Sequence, residues 1–193
     1  MRVKKLRKLR IKVNGFTAET ARVSSLSGDV DLAGFNGVKV NAYTVSGAIH
    51  WRGGSAQEVD VETNSGPVSL SDVTAQDCRL KTVTGRVDFA GSSALAFAVE
   101  TVSGDVSTRL GACPQEADLR SAAGDITVNL EENSGFAAEY SSVSGRFSSD
   151  FTGAGEKGRL LYGSGGPKLT LATTWGDMEI QRVTGVYAEM VGG

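Results

Sequence analysis

The sequence is dominated by a short motif, Thr-Val-Ser-Gly-Asp-Val, that recurs along most of its length. The best-preserved copy runs from Thr101 to Val106. The glycines of successive copies are separated by 19, 19, 19, 19, 20, 21 and 31 residues. A period near 20 is typical of a solenoid, whose units cannot bury their apolar faces alone and must stack on their neighbours. The glycines predicted to form the structural corners of the repeat are Gly28, Gly47, Gly66, Gly85, Gly104, Gly124, Gly145 and Gly176.

Apolar residues alternate with polar ones on both sides of each corner glycine. The positions two and four residues after the glycine are mostly apolar, as in Val87 and Phe89. The positions seven and five residues before it are also apolar, as in Cys78 and Leu80, and a hydroxyl residue such as Thr82 lies three residues before it. Alternation with period two indicates strands with one buried face. Each repeat is therefore predicted to have two strands, a sharp corner at the glycine and a looser corner opposite.

Charged residues on the outer face alternate in sign from one repeat to the next. The position four residues before the corner glycine is occupied successively by Glu62, Lys81, Glu100 and Arg120. In a parallel, in-register stack these side chains lie one strand apart, about 4.8 Å, and opposite charges stabilise such neighbours by about 0.2–1 kcal/mol. The pattern therefore favours parallel stacking of the repeats.

These patterns predict an all-β, single-domain parallel β-solenoid, or β-helix, of seven to eight coils with 19–21 residues in each. Within the single domain 1–193, residues 1–14 are expected to form a basic N-terminal capping strand. Residues 15–150 are expected to form regular repeats, and residues 151–193 closing repeats with an inserted hairpin. The hairpin is predicted to join 159–162 to 167–171 through a glycine-rich tip at 163–166 and to cap the last coils.

The N-terminal segment is strongly basic. Residues 1–13 include seven basic and no acidic residues, whereas the remainder has 13 basic and 22 acidic residues. A basic strand protects an exposed edge against end-to-end addition; the alternatives are contact with an anionic membrane surface and, least favoured, with nucleic acid. The residues predicted for anionic-surface contact are Arg2, Lys4, Lys5, Arg7, Lys8 and Arg10.

We predict no catalytic, cofactor-binding or metal-binding residue. His50 is the single histidine, and no partner motif accompanies it, so a Ser-His-Asp triad is not expected. A metal site made of several histidines is excluded. A row of carboxylates follows the corner glycines and has the chemistry to hold a cation or to act as acid and base. The same position is basic in other coils, as at Arg86, which favours a solvated corner row. The carboxylates of the row are Asp29, Asp105, Asp125 and Asp177.

The two cysteines, Cys78 and Cys113, fall two coils apart at unlike positions of the repeat. That separation is about 10 Å or more, too far for a disulfide, so free thiols are expected. The sequence has no run of 18 apolar residues and no signal-peptide core after the basic segment. We therefore expect a location in the cytoplasm or at the inner face of the envelope, or at the cell surface if a secretion signal has been removed.

The spaced motif copies resemble a bacterial family of β-strand repeat proteins that is named for adhesins and whose domain is a parallel β-solenoid. The stretch Tyr162-Gly163-Ser164-Gly165, which leads to Thr173-Thr174-Trp175-Gly176-Asp177, is similar to the closing repeat of that family, with Trp175 in place of a serine. We expect a non-enzymatic, adhesin-like binding module of the bacterial cell envelope that uses its flat strand faces to contact a protein, a glycan or the envelope surface.

Two other functions are compatible with the same fold. One is a structural scaffold that polymerises end to end, as the bactofilins do, which are also β-solenoids. The other, less favoured, is a carbohydrate-active β-helix enzyme. A monomer is expected of a binding module and an end-to-end oligomer of a scaffold.

Overall fold

The computed structural model describes residues 10–91, 93–133 and 135–183. These residues form a single system of fifteen paired strands. In chain order the strands are β1 (Ile11–Asn14), β2 (Thr17–Ser27), β3 (Val30–Ser46), β4 (Ile49–Ser65), β5 (Val68–Thr84), β6 (Val87–Gly91), β7 (Ser93–Ser103), β8 (Val106–Leu110), β9 (Glu116–Ala123), β10 (Ile126–Glu131), β11 (Gly135–Ser144), β12 (Phe147–Ser149), β13 (Arg159–Gly163), β14 (Lys168–Trp175) and β15 (Met178–Val183).

The strands stack in parallel with the register that the glycine period predicts. Ile11 lies beside Val30, Val30 beside Ile49 and Ile49 beside Val68, so one period advances the chain by one strand. From β1 to β9, about six turns follow one another in chain order. The prediction of an all-β parallel β-solenoid is confirmed. The number of regular turns is slightly lower than the seven to eight predicted, because the C-terminal strands leave this order.

The core lies between the two inner faces of the solenoid. The alternating apolar positions point inward and are buried, for example Val87, Phe89 and Leu80. Full burial of such side chains contributes about 1.5–3 kcal/mol each. The hydroxyl three residues before the corner is also buried, and it donates a hydrogen bond to the carbonyl oxygen of the preceding corner glycine, as Thr63 Oγ1 does to Gly47 at 3.3 Å. The same bond to a corner carbonyl is made by Thr44, Thr82, Ser121 and Thr173, whereas Thr101 Oγ1 and Ser142 Oγ have no hydrogen-bond partner among the described residues.

The alternating charges on the outer face are in register, as predicted. Glu62 lies beside Lys81, Lys81 beside Glu100 and Glu100 beside Arg120. Lys81 Nζ pairs with Glu100 Oε2 at 2.8 Å, and this contact raises the pKa of the lysine. Arg120 instead pairs with Asp118 of its own strand, Nε to Oδ1 at 2.8 Å. Opposite charges therefore stack along the row, although not every pair forms a direct ion pair.

The two C-terminal coils stack in the reverse of their chain order. β14 lies between β9 and β11, and β15 lies between β10 and β12. Leu169, for example, is flanked by Ala117 on one side and by Ala138 on the other. The coil formed by β14 and β15 is therefore inserted between a coil that precedes it by about 50 residues and one that precedes it by about 30.

The predicted hairpin between 159–162 and 167–171 is wrong in its pairing. β13 pairs antiparallel with β11, with Phe136 beside Tyr162, while β14 pairs with the opposite edge of β11. The glycine-rich segment 163–166 therefore crosses over the start of β11. A Cβ atom on Gly135 would lie 2.7 Å from the nitrogen of Ser164, so only glycine allows this crossing. β13 lies at the end of the strand order, where Tyr162 packs on Phe136 and Phe151.

Candidate interaction surface at the sharp corner

The corner glycines permit a close approach between successive coils. Gly85 has φ +158°, and a Cβ atom on it would overlap the carbonyl oxygen of Gly66 and lie 2.6 Å from the carbonyl carbon. No side chain fits there without moving the backbone of the adjacent coil. The predicted corner glycines that make the same approach to a neighbouring coil are Gly47, Gly66, Gly104, Gly124, Gly145 and Gly176. Gly28 has φ +136° and supplies the carbonyl oxygen that Gly47 approaches.

The aspartates after the corner glycines bond to the backbone of the next coil. Asp105 Oδ1 accepts from the backbone N–H of Asp125 at 3.0 Å, and Asp125 Oδ1 accepts from that of Asp177 at 2.7 Å. Asp177 Oδ1 accepts from Arg146 N at 2.8 Å, and Asp29 Oδ1 from Ala48 N at 3.0 Å. The row that we predicted to be merely solvated is thus a ladder of side-chain to backbone hydrogen bonds.

The ladder of aspartates is interrupted where the next coil has no backbone N–H to donate at that position. Ala48 follows Gly47, and the residue one coil further on is Pro67. Proline has no backbone N–H to donate. An aspartate at position 48 would therefore have no partner for its side chain, which agrees with the alanine there.

Beside this ladder the same corner exposes four apolar side chains, which we call the corner ridge: Val83, Val102, Val143 and Trp175. Their exposed fractions are 48%, 53%, 81% and 63%, respectively. The valines lie two residues before their corner glycine and Trp175 lies one residue before Gly176, whereas the valine position of the two coils between Val102 and Val143 holds the half-buried Ala122 and Thr174. The backbone pairs Thr84 with Ser103, Ser103 with Ala123, Ala123 with Trp175 and Trp175 with Ser144, so the ridge spans five adjacent strands. At about 4.8 Å per strand it is about 19 Å long.

The centre of the corner ridge is acidic along one side. Asp105, Asp125 and Asp177 are exposed, and each directly follows the corner glycine of one of the three central coils. One carboxylate oxygen of each aspartate accepts a hydrogen bond from the backbone of the next coil, which fixes the carboxylate beside the corner ridge. Arg86 and Arg146 occupy the same position in the first and last coils of the ridge. The surface therefore presents exposed apolar side chains bordered by three carboxylates at the centre and by one arginine at each end.

The corner ridge was not predicted from the sequence. Its valines belong to the Thr-Val-Ser-Gly motif, and a valine in a strand pattern is ordinarily assigned to the core. Ladder pairing omits this position in each coil, from Thr82–Thr101 directly to Thr84–Ser103, so Val83 and Val102 project from the corner. The one available signal was Trp175, a large aromatic where the resembled family has serine.

Only Arg10 of the predicted anionic-surface residues lies within the described part of the chain. Its Nε forms an ion pair with Asp31 Oδ2 on the adjacent strand, and this contact lowers the pKa of the aspartate. Arg10 is therefore engaged within the solenoid. The others, Arg2, Lys4, Lys5, Arg7 and Lys8, lie outside the described residues.

The histidine and the two cysteines that the sequence offered as candidates do not come together in one site. His50 lies half-buried on the outer face between Asp31 and Ser69. Both cysteines are free, as predicted, and burial raises the pKa of the Cys113 thiol to about 11 and that of Cys78 still further. Within the described ranges, no group of three or more His, Cys, Asp or Glu residues could hold a metal ion. In the same ranges no helix is suited to crossing a membrane.

An open groove of about 750 Å³ lies between β11, β14 and the segment 154–158. Its walls combine Glu139 and Glu156 with Lys157 and Arg159. Lys168 Nζ pairs with Glu139 Oε2 at 3.3 Å at its margin. With both charge signs present, the groove has no evident preference for an anionic or a cationic ligand.

Comparison with known proteins agrees with the repeat architecture. The family model described as Toastrack DUF4097, a β-solenoid-like repeat family of unknown function, matches residues 4–181. Neither the curated proteins nor the solved structures yielded a match. The resemblance is therefore confirmed at the level of a β-solenoid repeat family, and the adhesin designation is not.

Proposed function

This chain belongs to the Toastrack DUF4097 family, and we propose that it is a non-enzymatic, adhesin-like interaction module of the bacterial cell envelope that binds a protein partner along its corner ridge. The proposal places the contact on the sharp corner and not on the flat strand faces that the sequence favoured. Those faces carry alternating charges that pair with one another, as Lys81 does with Glu100.

The exposure of Trp175 is the observation that supports this function best. Trp175 is 63% exposed although it lies in β14 and pairs with Ala123 and Ser144. Tryptophan is strongly enriched among the residues that dominate binding energy at protein interfaces. Val102 and Val143 are exposed at the same corner, in coils on either side of Trp175. The hydrogen-bond ladder holds the backbone there, which limits the conformational entropy lost on binding.

The charge beside the ridge indicates the chemistry of the partner. Asp105, Asp125 and Asp177 form a negative centre along one side of the corner ridge, between Arg86 and Arg146 at its ends. A complementary partner segment presents apolar side chains to the ridge and lysine or arginine to the carboxylates. A protein supplies both in one extended segment, whereas a neutral glycan supplies no cations.

End-to-end assembly into a scaffold has weaker support. Part of the C-terminal end is occupied by β13, which runs antiparallel to β11 and is closed by Phe136, Phe151 and Tyr162. A head-to-tail polymer needs two matching ends. Size-exclusion chromatography with light scattering distinguishes the alternatives: the binding module is expected to be a monomer or a discrete dimer, and a concentration-dependent polymer would favour the scaffold.

Site-specific photo-crosslinking in intact bacteria tests the binding function. A photoreactive phenylalanine analogue at Val102 is expected to capture a protein. The same analogue at Ser71, on the opposite side of the repeat, serves as the control. Trp175→Ser is expected to abolish capture from position 102 and to weaken binding of the purified partner at least tenfold, which is about 1.4 kcal/mol.

The melting temperature of Trp175→Ser should remain close to that of the unmodified protein, because the side chain is largely exposed. Equal capture from positions 102 and 71, or capture that survives Trp175→Ser, would contradict the proposal. If the captured protein bound equally well at high salt, the predicted contact between its basic residues and the three carboxylates would be wrong, but binding along the ridge would stand.

A further inference from the structure

The coil formed by β14 and β15 fills a slot between two other coils. Its inner side chains Leu169, Leu171, Met178 and Ile180 are buried between β9 and β10 on one side and β11 and β12 on the other. Backbone bonds hold it on both sides: the N–H of Ile126 donates to Asp177 O at 2.9 Å, and that of Met178 to Arg146 O at 2.8 Å. The slot thus has a strand edge on each side, although β12 pairs with β15 only over Phe147–Ser149, and it belongs to neither end of the solenoid.

The slot can close when this coil is absent. Gly145 follows Gly124 by 21 residues, so β11 and β12 have the same repeat frame as β9 and β10. Direct stacking would place Phe147 on Ile126, where Met178 now lies. Withdrawal of β14 and β15 would therefore exchange one set of in-register pairings for another, with β12 replacing three of the six pairs that β15 makes with β10. This lowers the free energy needed to release the coil.

The segment that leads to the coil is suited to release. Residues 150–167 include six glycines, and β13 is the only named strand within them. Within one chain this segment is held by the pairing of β13 with β11 and by the buried Phe151. Once β13 and Phe151 detach, the eighteen residues form a glycine-rich linker that spans up to about 60 Å when extended, which is enough to reach another molecule. At the far end of the coil, Arg182 lies 4.7 Å from the centre of the Phe151 ring and pairs with Glu132 at 2.7 Å.

We propose that residues 168–183 form an exchangeable coil and that the slot also accepts the same coil from a second copy of this chain, giving a reciprocally exchanged dimer. The occupant is a second copy of this chain because the slot fits only a coil with particular residues at fixed positions of the repeat. It requires a glycine beside the carbonyl of Gly124, a hydroxyl for that same carbonyl and an aspartate for the N–H of Arg146. Gly176, Thr173 and Asp177 meet these needs in every copy.

Disulfide trapping between two differently labelled full-length chains tests the exchange. Arg120 and Ala172 are neighbours on β9 and β14, and adjacent parallel strands lie within disulfide range. One chain carries Arg120→Cys and the other Ala172→Cys, both with Cys113→Ser. Mixed, incubated at high concentration and oxidised, they are expected to form covalent heterodimers several-fold more than a control pair of Arg120→Cys with Thr20→Cys.

The doubly substituted chain, Arg120→Cys with Ala172→Cys, should close an intrachain disulfide and verifies the geometry. Heterodimers no more abundant than in the control pair would overturn the exchange. Hydrogen exchange on the unsubstituted protein gives a second measurement. The amides of β14 and β15 are expected to exchange as one group and faster than those of β9 and β10, and equal or slower exchange would also overturn it.

Discussion

The sharp corner shows how single residues determine this fold. The glycine provides a backbone that its neighbour can approach, since a Cβ on Gly85 would lie 2.6 Å from the carbonyl carbon of Gly66. Three residues before Gly85, Thr82 Oγ1 donates a hydrogen bond to the carbonyl oxygen of Gly66. Where an aspartate follows the corner glycine, as Asp105 does, its carboxylate accepts from a backbone N–H of the next coil. Glycine, threonine and aspartate each make a different contact between coils. The serine before the glycine makes none of these three contacts, and Ser103 is exposed.

Gly85→Val is expected to destabilise the protein far more than Ser103→Ala. A β-branched side chain at position 85 strains the backbone and displaces the adjacent coil, which costs a few kcal/mol. Ser103→Ala removes an exposed hydroxyl and should change stability by less than about 0.5 kcal/mol. Thermal unfolding of both variants provides the comparison, and equal melting temperatures would show that the corner tolerates side chains.

At the scale of the strands, hydrogen-bond ladders at the corner supplement the sheet hydrogen bonds. Each aspartate reaches across to the next strand, and the ladder from Asp105 through Asp125 and Asp177 to Arg146 N follows the spatial order of the coils and not their chain order. The same motif thus joins strands that are distant in sequence. This continuity is one reason why the inserted coil fits in register.

Asp105→Ala is expected to lower stability by about 1 kcal/mol, because the backbone N–H of Asp125 loses its acceptor. Asp105→Asn keeps a side-chain oxygen at the same place and should remain within about 0.5 kcal/mol of the original protein. Urea unfolding measures both. If the asparagine variant lost as much stability as the alanine variant, the negative charge and not the hydrogen bond would be responsible.

For the whole molecule, the sequence predicted the solenoid, its register and its corner glycines, because every repeat places Gly, Thr and apolar residues at fixed intervals. It did not predict the order of the last two coils. The frames of β11–β12 and β14–β15 are equivalent, so periodicity cannot decide which of them contacts β9 and β10. The aromatic cap of Phe136, Phe151 and Tyr162 involves non-repeating residues, and the corner ridge consists of motif valines whose exposure only the three-dimensional corner reveals.

Removal of one whole coil is expected to leave a folded protein. Deleting residues 67–85 joins Gly66 to Arg86 and removes 19 residues, one full period. The register then places Trp51 beside Phe89, so the inner row continues. Since each coil contacts only its neighbours, stability is approximately a sum of unit and interface terms. The shortened protein should keep a β-rich circular dichroism spectrum and melt at a lower temperature.

Deleting residues 67–76 provides the matched control, because it removes about half a coil and puts the following strands out of phase. One cost accompanies the longer deletion: Glu62 would lie beside Glu100, in place of Lys81, and like charges at exposed cross-strand positions cost a few tenths of a kcal/mol. That is small beside the loss of every inward-facing side chain that a phase shift causes. Soluble yield and circular dichroism of the two proteins decide the matter: if the 19-residue deletion unfolds as completely as the ten-residue one, the solenoid is not modular in units of the glycine period.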